Sequence, residues 1–218
     1  MEIQKMQQSS NKKNASWTLF IIKLIVFFII VTAGISWYQF SRLKDYKTQI
    51  TRQWGFVVDI YQRRENIAVT YVQMIEKYVD ESNFSLTEKD QWESVDQAEH
   101  QLSILAENPN FSERQFLDMW KGRDRREEYI DVQHALSWHL TNLSKKAREI
   151  GHLMHDPVFM ETAGKLADEA NQLSSAIKKL NELIEKYQET YELKPLYWGS
   201  SWSEFQGRYP YISIITLY

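Results

Sequence analysis

An all-α fold, with an N-terminal transmembrane helix continuing into an antiparallel three- to four-helix bundle, follows from three observations. A long apolar run lies near the N-terminus. Only 7 Gly and 4 Pro occur in 218 residues, with no Pro before Pro109. Apolar residues recur at three- and four-residue steps through most of the remainder. Breakers this rare leave no turns for many strands or for β–α alternation, whereas those steps put one apolar stripe on a helix.

Residues 1–16 read as a polar N-terminal tail. Residues 17–40, from Trp17 to Phe40, form an apolar segment whose helical length of about 36 Å exceeds the roughly 30 Å hydrocarbon core, so it can span with some tilt. Lys23 is its one charge and lies near the N-terminal end, where its stem can follow the helix while the ammonium reaches the headgroups. Trp17 at one end and Trp37 with Tyr38 at the other match interfacial aromatic belts. The rival reading is a cleaved signal peptide ending near Val31-Thr32-Ala33; the apolar run and its aromatic flanks continue past Ala33, which favours a retained helix. Basic residues flank both ends, Lys5, Lys12 and Lys13 before it and Arg42, Lys44, Lys47 and Arg52 after it, so charge leaves the orientation open.

Residues 41–195 read as one long-helix antiparallel domain. Ile50, Trp54, Val57, Tyr61, Ala68, Val72, Ile75 and Val79 mark the first bundle helix, with Glu65 at the seam position where an apolar residue is missing. Ser85-Leu86-Thr87-Glu88 is a capping box opening a shorter helix with Val95, Ala98, Leu102 and Leu105 on one face, closed by Asn108-Pro109-Asn110. A second capping box at Ser112 opens the next region. There Tyr129, Val132, Leu136, Leu140, Leu143, Ala147, Ile150 and Met154 predict a helix running to His155-Asp156. Asp156 before Pro157 is an N-cap with Pro at the first helical position. From Phe159 through Ala163, Leu166, Ala170, Leu173, Ile177, Leu180, Ile184 and Tyr187 to Tyr191 a heptad seam follows, ended by Lys194-Pro195. Residues 196–218 form an aromatic-rich tail whose Trp198, Trp202, Phe205, Tyr209 and Tyr211 are expected to pack on the bundle or meet the bilayer interface.

Composition narrows function. The net charge is −3, from 26 basic and 29 acidic residues, so no global field points to nucleic acid. The absence of Cys removes thiol nucleophiles, disulfides and Cys-based metal sites. No Gly-rich phosphate loop, Gly-x-Ser-x-Gly or His-Glu-x-x-His occurs, and the chain is read as no enzyme and as needing no cofactor. Glu149-Ile150-Gly151-His152 has the spacing of a di-iron half-site, but its nearest companion is Asp131-Val132-Gln133-His134 and further glutamates are missing. His152 and His155 fit a helix end, where histidine meets terminal carbonyls, better than a metal site. The charged run Lys121 to Glu128 mixes signs and reads as a solvated face. Between Ser41 and Arg64 six basic residues face two acidic ones, a balance that suits anionic headgroups or the ordinary flank of a membrane helix.

The cluster Asp59, Gln62, Arg63, Arg64, Glu65 and Asn66 is the most informative polar feature. It interrupts an apolar stripe and places Arg64 and Glu65 close to the seam; buried charge must be paired, so the cluster either fixes helix register through a core network or lines a functional groove.

Trp54 followed by Val58-Asp59-Ile60-Tyr61-Gln62-Arg63-Arg64-Glu65-Asn66-Ile67 resembles the helix motif of the LemA family of bacterial membrane proteins. Ala135-Leu136, the stretch Asn181 to Tyr191, and Phe205 with Tyr209-Pro210-Tyr211 are similar to its later helices and aromatic ending. The likeness covers most of residues 40–212 and departs from the family near Ser82 to Glu128 and Ala147 to Asp156. The same motif is compatible with the magnetosome-associated MamQ-like branch. The resemblance implies one N-terminal membrane helix, an antiparallel bundle, and a bacterial cytoplasmic (inner) membrane or one derived from it. It implies no enzymatic activity.

The expectation is therefore a non-catalytic, membrane-anchored scaffold or interaction module. Its partners are the lipid bilayer and other membrane proteins, with homo-oligomers compatible and nucleic acid excluded. The alternatives are a ligand-sensing bundle acting through a membrane partner and a metal-dependent bundle enzyme built around Glu149 and His152.

Overall fold

Four α-helices account for nearly all of the described chain. The computed structural model describes residues 2–81, 89–107, 123–149, 151, 153–192 and 212. In chain order they are α1 (Glu2–Glu81), α2 (Lys89–Glu107), α3 (Arg123–Ala147) and α4 (Pro157–Glu192), with one 3₁₀ turn at Leu153–His155. No strand occurs among the described residues. The fold is an all-α helical bundle with an apolar N-terminal helix. The chain divides into two units, Met1–Lys47 with Lys186–Tyr209, and Thr48–Glu185 with Pro210–Tyr218, so α1 and α4 contribute to both. The boundary falls at Lys47, beyond the Phe40 limit of the apolar segment.

In the first unit, α1 contains a stretch long and apolar enough to cross a membrane. Its large apolar side chains from Trp17 to Ile35 are exposed, with Ile30 64% and Phe27 62% accessible. The hydroxyls within it are satisfied locally. Thr32 donates to the carbonyls of Phe28 at 2.8 Å and Ile29 at 3.0 Å, and Ser36 donates to that of Thr32 at 2.8 Å. Satisfying polar hydrogens inside the helix is what a hydrocarbon surrounding demands. One turn beyond, the Arg42 guanidinium lies 5.8 Å from the Tyr38 ring and 5.4 Å from the Tyr46 ring, and donates to the Tyr46 hydroxyl at 2.6 Å. That aromatic sandwich holds the cation next to the apolar run, where headgroups would lie.

The second unit holds the main core. On α1 the predicted stripe is buried at Ile50, Trp54, Val57, Tyr61, Ala68, Val72 and Ile75, joined by Val58, Ile60 and Tyr71. Three contacts fix α4 against it. Gln53 Nε2 donates to the Ala176 carbonyl at 3.1 Å, Arg63 pairs with Glu169, and Tyr71 stacks on Phe159 at 5.1 Å. The α1 numbers rise while those of α4 fall, so the two helices are antiparallel. Tyr61 meets Tyr129 edge-on at 5.6 Å, and further along α1 Glu65 meets Gln133. Here both numbers rise, so α1 and α3 are parallel. α2 packs on α3 with Val95, Ala98 and Leu105 buried.

Asp156 caps α4 as its sequence predicts, Oδ1 accepting from the N–H groups of Val158 at 2.8 Å and Phe159 at 3.2 Å. The end of α3 differs from expectation. The apolar stripe predicts helix through Met154, whereas α3 stops at Ala147 and turns, with Glu149 N–H donating to the Lys146 carbonyl at 2.9 Å. Gly151, whose helical propensity is poor, lies in this turn, and Leu153 of the 3₁₀ turn is buried while Met154 is only half-buried.

Candidate functional site

The polar cluster on α1 splits into two faces, because consecutive residues on a helix point about 100° apart. Asp59, Arg63 and Asn66 face outward. Arg63 donates through Nε to Glu169 Oε1 at 3.0 Å and through Nη2 to Oε2 at 3.1 Å, with Gln172 Oε1 at 3.4 Å. Gln62 is half-buried beside them. Arg64 and Glu65 point inward, and the structure gives them different environments.

Glu65 is satisfied. Its Oε1 accepts from the Tyr129 hydroxyl at 3.3 Å and from Gln133 Nε2, which also donates to the Tyr129 oxygen at 2.9 Å. Burial pushes the Glu65 carboxyl above its ordinary value, while Gln133, Tyr129 and the charge of Arg64 act the other way. Burial likewise pushes Tyr61 up to about 12 and Tyr129 well above the usual phenol range. The sequence placed Tyr129 in the apolar stripe of α3 and gave Gln133 no role. Its one signal is the run Gln133, Ser137, Thr141 and Ser144, a polar line at four- and three-residue steps beside the apolar one. Ser137 and Thr141 bond back to the carbonyls of Gln133 and Ser137 at 2.7 and 2.8 Å.

Arg64 has no hydrogen-bond acceptor among the described residues. It is 0% exposed, and Nε, Nη1 and Nη2 are all buried without a hydrogen-bond partner. Burial pulls its pKa down, against the pull of Tyr61, Glu65 and Tyr129. A guanidinium nevertheless stays protonated in a protein, so the group remains a cation with five N–H donors.

Arg64 lines a cavity of about 250 Å³ between three helices. α1 contributes Arg64 and Tyr71. Leu140, Thr141 and Ser144 come from α3, with Arg148 just past its end, and α4 supplies Ala163, Leu166, Ala167, Ala170 and Asn171. Arg148, Ala167 and Asn171 are exposed and mark the mouth. The predicted seam residues Ala163, Leu166 and Ala170 are only half-buried because they wall this cavity instead of filling it. Burial raises the Tyr71 pKa, opposed by a hydrogen bond from Ser144 and the charge of Arg148. A wider groove between α1 and α4 is flanked by Arg52 and Lys179, with Phe56 on its wall.

Trp198, Trp202, Phe205, Tyr209 and Tyr211 lie outside the described residues, as does His152. Within the same tail Ile212 is buried and bonded to Asn181. Among the described residues no group of three or more His, Asp or Glu side chains is placed to hold a metal ion.

Fold and site together define a class: a helical bundle with an apolar N-terminal helix and a cationic cavity in its core. No family model, curated protein or solved structure matches the chain.

Proposed function

We propose that the chain is a single-pass, non-catalytic protein of a bacterial cytoplasmic membrane, or of a membrane derived from it, whose bundle is a ligand-binding module acting through a membrane partner. The observation that carries this reading is Arg64, a wholly buried cation lining a cavity, with no acceptor for its donors among the described residues. A buried donor left unmade costs about 1–3 kcal/mol, more when charged, so a guanidinium is kept in such a place for what can be brought to it. The membrane part of the reading is supported by the apolar run of α1, its internally bonded hydroxyls and the Arg42 sandwich beside it. The bacterial assignment rests on the resemblance to LemA proteins.

The scaffold reading keeps one observation of its own, Trp138 on α3, which is 61% exposed on the soluble bundle. Exposed tryptophan is a common anchor at protein interfaces.

The test is a thermal-shift screen of the full chain in lipid nanodiscs against neutral, cationic and anionic metabolites. A class of compounds that raises the melting midpoint, and loses its effect in Ala163→Leu, places a ligand in the cavity. If no compound shifts the midpoint while Trp138→Ala abolishes crosslinking to a membrane partner, the scaffold reading takes precedence.

A further inference from the structure

We infer that the ligand of the Arg64 cavity is a small organic acid, its carboxylate held by the Arg64 guanidinium and its apolar body by the alanine and leucine wall of α3 and α4. The inference rests on the ligand-binding reading above and specifies its chemistry.

The charge balance of the cavity selects an anion. Among the described residues its lining contains two arginines and neither Asp nor Glu. The carboxylate that acts on Arg64, that of Glu65, is already engaged by Tyr129 and Gln133. The guanidinium therefore has charge compensation nearby but no acceptor for its fork of donors. A carboxylate offers two coplanar oxygens that match this fork.

The wall selects the rest of the molecule. Leu140, Leu166, Ala163 and Ala170 offer carbon surface, and the Thr141 hydroxyl donates back to the Ser137 carbonyl at 2.8 Å, so its hydrogen is not available to a ligand. Water in the cavity would find polar partners in Ser144, Asn171 and Arg148 but would leave that carbon surface uncovered. Inorganic phosphate would leave the same carbon surface uncovered. An acid with an apolar body satisfies both halves of the cavity. Its size is bounded as well, since about 250 Å³ lies below the roughly 300–1,000 Å³ typical of drug-sized pockets.

Exposed Arg148 and Asn171 stand at the mouth. A second cation there attracts an anion toward the cavity, and it remains solvated enough to release it.

The experiment is calorimetric titration of the full chain in nanodiscs with acetate, isobutyrate and benzoate, beside benzyl alcohol as a neutral compound of similar shape and inorganic phosphate. Isobutyrate or benzoate is expected to bind more tightly than acetate. Losing a charge-assisted hydrogen bond should weaken that binding about tenfold or more in Arg64→Met. Arg64→Lys, which keeps the charge without the fork, should fall between. Ala163→Leu leaves Arg64 in place and fills the apolar wall, so it should abolish binding even where Arg64→Met fails to fold. If benzyl alcohol binds as well as benzoate, the cavity holds a ligand and the function stands, but the organic-acid inference is overturned. Phosphate binding without any carboxylate binding overturns it too. If nothing binds, both readings fall.

Discussion

The side-chain amide of Asn181 grips the backbone of Ile212 from both sides, Nδ2 donating to the Ile212 carbonyl at 2.8 Å and Oδ1 accepting from its N–H at 3.0 Å. Ile212 is 4% exposed. The pair ties residue 212 back to α4, 31 positions away in sequence. Neutral hydrogen bonds contribute about 0.5–1.5 kcal/mol each, so Asn181→Ala should cost about 1–3 kcal/mol. Asn181→Asp keeps the acceptor but faces the Ile212 carbonyl with an oxygen, so it should cost a similar amount. Hydrogen exchange at the Ile212 amide reads this directly. Exchange unchanged in Asn181→Ala would mean that the clamp does not hold the tail.

Much of the bundle was legible because periodicity reports burial. Ile50, Trp54, Val57, Tyr61, Ala68, Val72 and Ile75 fall on the buried face of α1, and Asp156 caps α4 as Asp-Pro predicts. The end of α3 was less legible, since Ile150 and Met154 continue the stripe numerically while Gly151 lies in a turn, and a step pattern does not register a local break. The candidate site was half legible. The interruption of the stripe placed Arg64 and Glu65 close to the seam, and Arg64 is buried while Arg63 is exposed. The cavity itself carries no sequence mark. Ala163, Leu166 and Ala170 have the spacing of a filled seam, and the small side chains of Ala163 and Ala170 opposite a buried arginine leave room.

The Arg63–Glu169 pair should contribute little to stability despite its two-pronged geometry. Arg63 keeps 45% of its side chain exposed and Glu169 13%. Exposed pairs are worth about 0.2–1 kcal/mol and weaken with salt. A double-mutant cycle with Arg63→Ala and Glu169→Ala should give coupling in that range at low salt and less at 1 M salt, a concentration at which the screening length is about 3 Å. Coupling well above about 1 kcal/mol would show that the pair is effectively desolvated.

Glu65 should impose a pH dependence whose sign is fixed by its environment. Burial raises its folded-state pKa above the ordinary value of 4.5, so the folded chain binds this proton more tightly than the unfolded one. Stability contributed by this group is therefore highest below pH about 4.5, declines as pH rises through the folded value, and is level above it. Glu65→Gln retains an acceptor for Tyr129 and removes the titration. The difference between the two unfolding free energies, followed by denaturant titration across that range, should slope in the wild type's disfavour as pH rises. A flat difference would place the carboxyl in a solvated setting that the contacts with Tyr129 and Gln133 contradict.

Arg64 sets stability against binding. In the absence of ligand its donors are buried and have no acceptor among the described residues, so replacing it with an apolar side chain of similar length removes a penalty. Arg64→Met should therefore unfold at higher denaturant than the wild type in a buffer free of carboxylates, by about 1–3 kcal/mol. Part of that gain is offset because Glu65 loses the nearby positive charge, which the double variant with Glu65→Gln should recover. The gap should narrow by about 1.4 kcal/mol or more in a saturating organic acid, since that is what tenfold tighter binding to the wild type is worth. Tryptophan fluorescence during denaturant unfolding in nanodiscs can follow both conditions. If Arg64→Met is instead the less stable protein without ligand, the guanidinium already makes favourable bonds to water, and its burial is a structural device of the core.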